Sequence, residues 1–153
     1  MSAHRDRADT YCGRLSHPVA SPRRLRLGCL LVGNRGVMTL IHGSTSAVFV
    51  GADELGDIII TPIGELDIEF APTVFAVMRE SIAKAPRRII LDFGALTFLD
   101  SAGCDMLEEA WREAHAAGVR LAIREQMSRL VRRVLAVTLL LPLFDPVWPS
   151  PGW

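Results

Sequence analysis

Hydrophobic positions change their spacing several times along this chain of 153 residues, and each change marks an element. Ala47–Val50 is a short apolar run, Gly51–Gly56 supplies turn residues, and Asp57–Ile63 is rich in β-branched residues, which together predict a hairpin. Pro62 has no N–H to give to a ladder, so it is expected at a strand end or an edge. Gly64-Glu65-Leu66-Asp67 breaks the strand pattern. From Ile68 to Ala85, Val74, Val77, Met78 and Ile82 fall three and four apart with Pro72 in the opening turns, predicting a first helix that Pro86 stops. Arg87–Asp92 carries the continuous run Ile89-Ile90-Leu91, the mark of a central strand covered on both faces. A loop then leads to Asp100-Ser101-Ala102-Gly103.

Helical spacing returns with Cys104, Leu107, Trp111 and Ala114, predicting a second helix from Ala102 to a stop at Gly118, with Ser101 as its N-cap. Its polar face holds Asp105, Glu108, Glu109, Arg112 and Glu113, and Glu108 precedes Arg112 by four in the stabilising orientation. Val119–Ile123 reads as a further buried strand. Met127–Thr138 reads as a helix with Leu130, Val131, Val134 and Leu135 on one face and Arg129, Arg132 and Arg133 on the other. Pro142–Trp153 is expected to be a short strand or coil with a tail. The alternation of strands and helices places the chain in the α/β class, a mixed central β-sheet with helices packed on it.

Half of the residues are hydrophobic, enough at this length for one domain with extensions. Pro18, Pro22, Gly13, Gly28, Gly33 and Gly36 lie among polar and basic residues without a sustained period. The expected organisation is therefore a weakly ordered basic extension over 1–44, the domain over 45–148 and a tail over 149–153. Met38 precedes the first strand, so translation beginning at Met38 is a hypothesis that intact mass would decide. The net charge is zero, but residues 1–50 hold seven Arg against Asp6 and Asp9, leaving that part at +5 and the remainder at −5. These arginines are not interleaved with aromatics, and no nucleic-acid partner is expected.

Leu25–Val32 is interrupted by Arg26 and lacks a small-residue cleavage site, and Leu27-Gly28-Cys29 has Arg26 where a lipoprotein signal wants an apolar residue. No run approaches the roughly 18 apolar residues of a membrane helix, so membrane insertion is not expected. Cys12, Cys29 and Cys104 are odd in number and lack metal-ligand spacing, which fits a reducing cytoplasm rather than a disulfide framework or a zinc site. His4, His17, His42 and His115 are scattered, Ser101 has no nucleophile-elbow context, and Gly33-Asn34-Arg35-Gly36 is too short for a phosphate cradle. The residues thus predict no catalysis and no cofactor.

Four segments carry a family resemblance: Gly64-Glu65-Leu66-Asp67, Leu91-Asp92 leading to Leu96-Thr97-Phe98-Leu99-Asp100-Ser101-Ala102-Gly103, Gly118-Val119-Arg120-Leu121, and Ser128 to Leu140. In order and spacing they resemble the STAS domain of bacterial anti-sigma factor antagonists over roughly residues 45–145. The resemblance implies a STAS-like fold and phosphorylation at Ser101 by an anti-sigma factor that is a protein-serine kinase. The dephosphorylated antagonist would bind that kinase and free a sigma factor, and a phosphatase would reset it. It also implies a partner surface at Asp67, Asp100, Ala102, Gly103, Asp105 and Glu108. A STAS accessory subunit of an ABC-type lipid transporter is the alternative, and a ligand-binding STAS module a third possibility without a pocket signature.

The residues keep plainer readings beside these. Ser101 is otherwise an N-cap, Asp67 caps the first helix or lies beside the phosphosite, and Asp100 bonds the loop or meets the partner. Gly103 fits close helix–sheet packing, while Met106 and Trp111 fit the core or its shoulder. The chain departs from the family where Ala102 and Cys104 replace a hydroxyl residue and a leucine, where Asp105 adds charge expected in the first turn, and where Thr138-Leu139-Leu140 stands in place of a helix-ending glycine. An exposed Leu139–Leu143 would be a candidate partner or dimer surface.

Overall fold

The computed structural model describes residues 38–42 and 46–147; the expectations for the basic extension, the Met38 start, Leu25–Val32, Cys12, Cys29 and the 149–153 tail concern positions wholly or largely outside them. The strands are β1 (Met38–His42), β2 (Ser46–Ala52), β3 (Ile58–Leu66), β4 (Arg88–Leu91), β5 (Leu96–Leu99), β6 (Arg120–Arg124) and β7 (Asp145–Val147). Three helices, α1 (Ala71–Ala83), α2 (Ser101–Ala116) and α3 (Arg129–Val137), and a short 3-10 turn at Leu141–Leu143 complete the order. The sheet runs β1-β2-β3-β4-β6-β7, with β5 paired to β3 off that path. Regular structure starts earlier than expected, because β1 pairs antiparallel with β2, Met38 opposite Val50.

β2 and β3 form the expected antiparallel hairpin, and from β3 onward all pairings are parallel. The central strand is β4, where Ile89, Ile90 and Leu91 are all buried between β3 and β6. Two corrections concern what lies either side of it. β3 does not end at Ile63 but continues through Gly64-Glu65-Leu66, because Leu96–Leu99, expected as loop, is a strand that pairs with that extension. β5 therefore prolongs β4 along the same edge of β3 after a step at Asp92–Ala95.

Pro62, accordingly, is neither at a strand end nor at a sheet edge; it sits inside β3 opposite Val48. Asp92 N–H donates to the Ile60 carbonyl, and Gly64 N–H donates to the Ala95 carbonyl. Ile60, Pro62 and Gly64 thus aim their backbone at the β4–β5 side, by the two-residue period of a strand. The missing N–H of Pro62 faces the step between the two strands, where no ladder bond is required.

One face of the sheet carries Val48, Ile60, Leu66, Ile89, Leu91, Leu121 and Ile123 into a core shared with the helices. α1 and α2 pack together and are tied by Arg79 Nε donating to Glu113 Oε2 at 3.0 Å, while α3 packs over β5. At the start of β3, Asp57 is fully buried beneath Arg88 and Arg87, with Arg88 Nε donating at 2.9 Å. Burial works to raise the Asp57 pKa, but the hydrogen bonds and charges of Arg88 and Arg87 outweigh it and hold the carboxyl below its ordinary value.

The ends of α2 and α3 use one motif with different residues. After α2, Gly118 (φ 73°) closes the helix, with Gly118 N–H bonded to His115 and Val119 N–H to Ala114. After α3, the same bonds run from Leu139 to Ala136 and from Leu140 to Leu135, yet the residue in the left-handed region (φ 59°) is Leu139. The helix therefore stops as it would with glycine, in a conformation that leucine resists.

Candidate functional site

The site is built where β3 and β5 end side by side, Leu66 in register with Leu99. The next residue of each strand is an aspartate, Asp67 and Asp100, and both turn the chain. Asp67 Oδ1 accepts from Glu69 N–H at 3.0 Å and Phe70 N–H at 2.9 Å, and its carbonyl accepts from Ala71 N–H at 2.8 Å. It thus caps the turn that feeds α1, which starts at Ala71 rather than at Ile68. No acidic residue stands in the first turn of α1, where Pro72 occupies an early position whose N–H needs no partner.

Asp100, not Ser101, is the N-cap of α2: its Oδ1 accepts from Gly103 N–H at 2.9 Å. Its Oδ2 accepts from Ile68 N–H at 3.2 Å, which laces the two loops together. Ser101 moves one position inward to become the first residue of the helix, and its side chain is exposed. The apolar spacing of α2 fixed which face is buried but not which of two adjacent cap-forming residues begins it.

Gly103 explains how α2 can start so close to β3. A Cβ there would come within 2.6 Å of Leu99 Cδ1 and 2.7 Å of the Leu66 carbonyl oxygen, distances that real side chains do not reach. Ala102 is half-buried beside it. Asp105 is exposed and belongs to the second turn, because α2 begins at Ser101. Glu108, a further turn along, is ion-paired with Arg112 as the spacing predicts. The fold therefore brings Asp67, Asp100, Ser101, Ala102 and Gly103 to one spot, with Asp105 and Glu108 trailing away down the helix.

Cys104 is buried, and its thiol is pushed up in pKa by that burial, with a Thr138 hydrogen bond opposing and the charges of Asp105 and Asp100 adding. This contact sets the end of α3 against the first turn of α2. Sequence reasoning missed it, together with β5 and the apolar rim of the site, Ile68 at 72% and Phe98 at 42% exposure. The alternation of Leu96-Thr97-Phe98-Leu99, with β-prone Thr and Phe between two leucines, is the signal that could have revealed the strand.

The chemistry available here is that of a helix start. The first N–H groups of α2 have no carbonyl within the helix to bond, and its macrodipole favours an anion at this end. Among the described residues no basic side chain forms an ion pair with Asp67, Asp100 or Asp105, no group of three or more His, Cys, Asp or Glu is placed to hold a metal ion, and no helix is long and apolar enough to cross a membrane.

A family model described as "STAS domain" matches residues 50–152. The fold is similar to solved anti-sigma factor antagonists. The unphosphorylated form of the antagonist SpoIIAA is 25% identical with a TM-score of 0.58, over 68% of this chain and 89% of its own. An anti-sigma factor antagonist from Mycobacterium paratuberculosis is 23% identical with a TM-score of 0.58, over 73% and 92% of the two chains. The phosphorylated form of the Bacillus cell fate determinant SpoIIAA is 23% identical with a TM-score of 0.54, over 68% and 92%. Comparison with curated proteins gave no match.

Proposed function

The chain belongs to the STAS domain family, and from that premise we propose that it is an anti-sigma factor antagonist: it docks onto an anti-sigma factor kinase, releases a sigma factor and is switched off by phosphorylation of Ser101. The observation that carries the reading is the position of Ser101, an exposed hydroxyl at the first residue of α2, in a fold similar to SpoIIAA. The protein acts by binding and not by catalysis, in the cytoplasm, and a phosphatase restores the binding form.

The geometry supports the direction of the proposed switch. Phosphate would add about −1.5 to −2 charges to the Ser101 hydroxyl. The helix end tolerates an anion there, whereas both Asp100 oxygens are committed to the Gly103 and Ile68 N–H groups and cannot swing away. The new charge thus sits on a surface already acidic at Asp67, Asp100 and Asp105, and acts against whatever docks on it. Asp67, Asp100, Ala102 and Gly103 frame the contact, and Asp105 and Glu108 extend it along α2.

The test is to incubate the protein with ATP and each purified anti-sigma factor kinase of its source organism, alongside Ser101→Ala and Ser101→Asp. Phosphate on Ser101 alone, binding by the wild type and by Ser101→Ala, and loss of binding in Ser101→Asp are the expected results. Phosphate on another residue, or Ser101→Asp binding like the wild type, would refute the switch.

A further inference from the structure

The outer side of α3 is apolar where a surface helix is ordinarily polar. Leu130 is 50% and Val137 71% exposed, two turns apart on one face, with half-buried Val134 between them. The stripe runs on to Leu139, 74% exposed just beyond the helix. It ends toward the candidate site: α3 packs on β5, which leads directly into Asp100 and Ser101, and the Thr138 side chain after α3 lies near Cys104, one turn along α2 from Ser101. The backbone at Leu139 holds a left-handed conformation that glycine would adopt freely, so an apolar side chain is kept in water at a conformational disadvantage.

We propose that Val137 and Leu139 are the apolar anchors by which this protein docks the kinase that acts on Ser101, an inference that rests on the function proposed above. A specific interface covers on the order of 800 Å² of each partner, a disc of about 16 Å radius. A kinase face of that radius centred on the Ser101 hydroxyl reaches Leu139, the residue that follows Thr138. Within such interfaces a few apolar anchors near the centre carry most of the affinity. The charges flanking the stripe describe the rest of the partner: Arg129 and Arg133, exposed and outside any ion pair of the described residues, call for acidic groups toward the start of α3. The occupant is a kinase face with an apolar pocket bordered by that acidic rim.

The experiment compares wild type, Leu139→Gly, Leu139→Asn and Leu55→Ala in full-length protein. Leu55 is a control of equal exposure, 74%, in the β2–β3 turn at the opposite end of the sheet. Titration calorimetry and Ser101 phosphorylation kinetics are measured with the kinase that modifies the wild type. Both Leu139 variants keep the left-handed backbone and should bind at least ~30-fold more weakly, the loss expected for an interface anchor. Leu55→Ala should bind as the wild type does. Wild type phosphorylated on Ser101 and both Leu139 variants within threefold of its affinity would overturn the docking surface while leaving the proposed function standing. Wild type bound and phosphorylated by no kinase would overturn both. A wild-type dimer in sedimentation that Leu139→Gly dissociates, with kinase affinity unchanged, would assign the stripe to a second copy and overturn the proposal.

Discussion

At the scale of single residues, the energetics of the site reside in two backbone demands. Leu139 occupies the left-handed region at φ 59°, which costs an L-residue about 1–2 kcal/mol. Glycine removes that cost but has a larger unfolded-state entropy, about 0.5–1 kcal/mol. Leu139 is largely exposed, so little burial is lost on its removal. Leu139→Gly should therefore stabilise the fold by about 0.5–1 kcal/mol, read from denaturant midpoints at constant slope. Gly103 makes the opposite demand. Gly103→Ala forces α2 away from Leu66 and Leu99, and overpacking of this kind should destabilise by about 2–3 kcal/mol. Destabilisation below 0.5 kcal/mol in the same measurement would mean that the helix start is looser than its contacts require.

At the scale of elements, the sequence carried what periodicity can carry. The β2–β3 hairpin, the continuous apolar β4, the α2 stripe of Cys104, Leu107 and Ala114 and the Gly118 stop were all legible, because burial on one or both faces writes itself into spacing. What stayed hidden was pairing over long distance. β5 exists as a strand because Gly64–Leu66, far back in the chain, offers it an edge, and no local pattern states that. The one-residue shift from Ser101 to Asp100 as cap puts on Asp100 both a local bond, to Gly103, and a tertiary one, to Ile68, which spacing does not record either. The resemblance located Ser101 in the chain and offered Asp67 as a cap or as a neighbour of it; the fold makes Asp67 a cap and ties its loop to Asp100 through the Ile68 N–H.

Asp57 was read merely as the start of a strand, yet its bonds to Arg88 and Arg87 pin the beginning of β3 to that of β4. Its pKa is lower in the folded state than the ordinary 3.8, so the interaction contributes fully above that value and fades as pH falls through the folded pKa. Arg87 is largely exposed and adds little, whereas Arg88 is mostly covered. Asp57→Asn should therefore cost about 2–3 kcal/mol near pH 7. The gap between variant and wild type should narrow below pH 4, which denaturation curves across pH would record; a gap independent of pH would assign the loss to packing.

At the scale of the whole molecule, the switch proposed at Ser101 would change association without changing the fold, and the magnitudes separate the two. A negative group at a helix start gains about 0.3–1 kcal/mol. Repulsion from exposed Asp105 and half-buried Asp100 opposes it by a comparable, salt-screened amount. The two nearly cancel, so phosphorylated protein should keep its unfolding free energy within about 1 kcal/mol of the unmodified form. Against a docked surface nothing cancels: water leaves, and juxtaposed like charge with an unpaired phosphate costs several kcal/mol, or more than ~100-fold in affinity. Denaturation and calorimetry on the same phosphorylated sample decide the matter. A stability change above about 2 kcal/mol would mean that phosphate acts by loosening α2 from β3, at the crowded contact of Gly103 with Leu66, and that the partner is lost because its surface is lost.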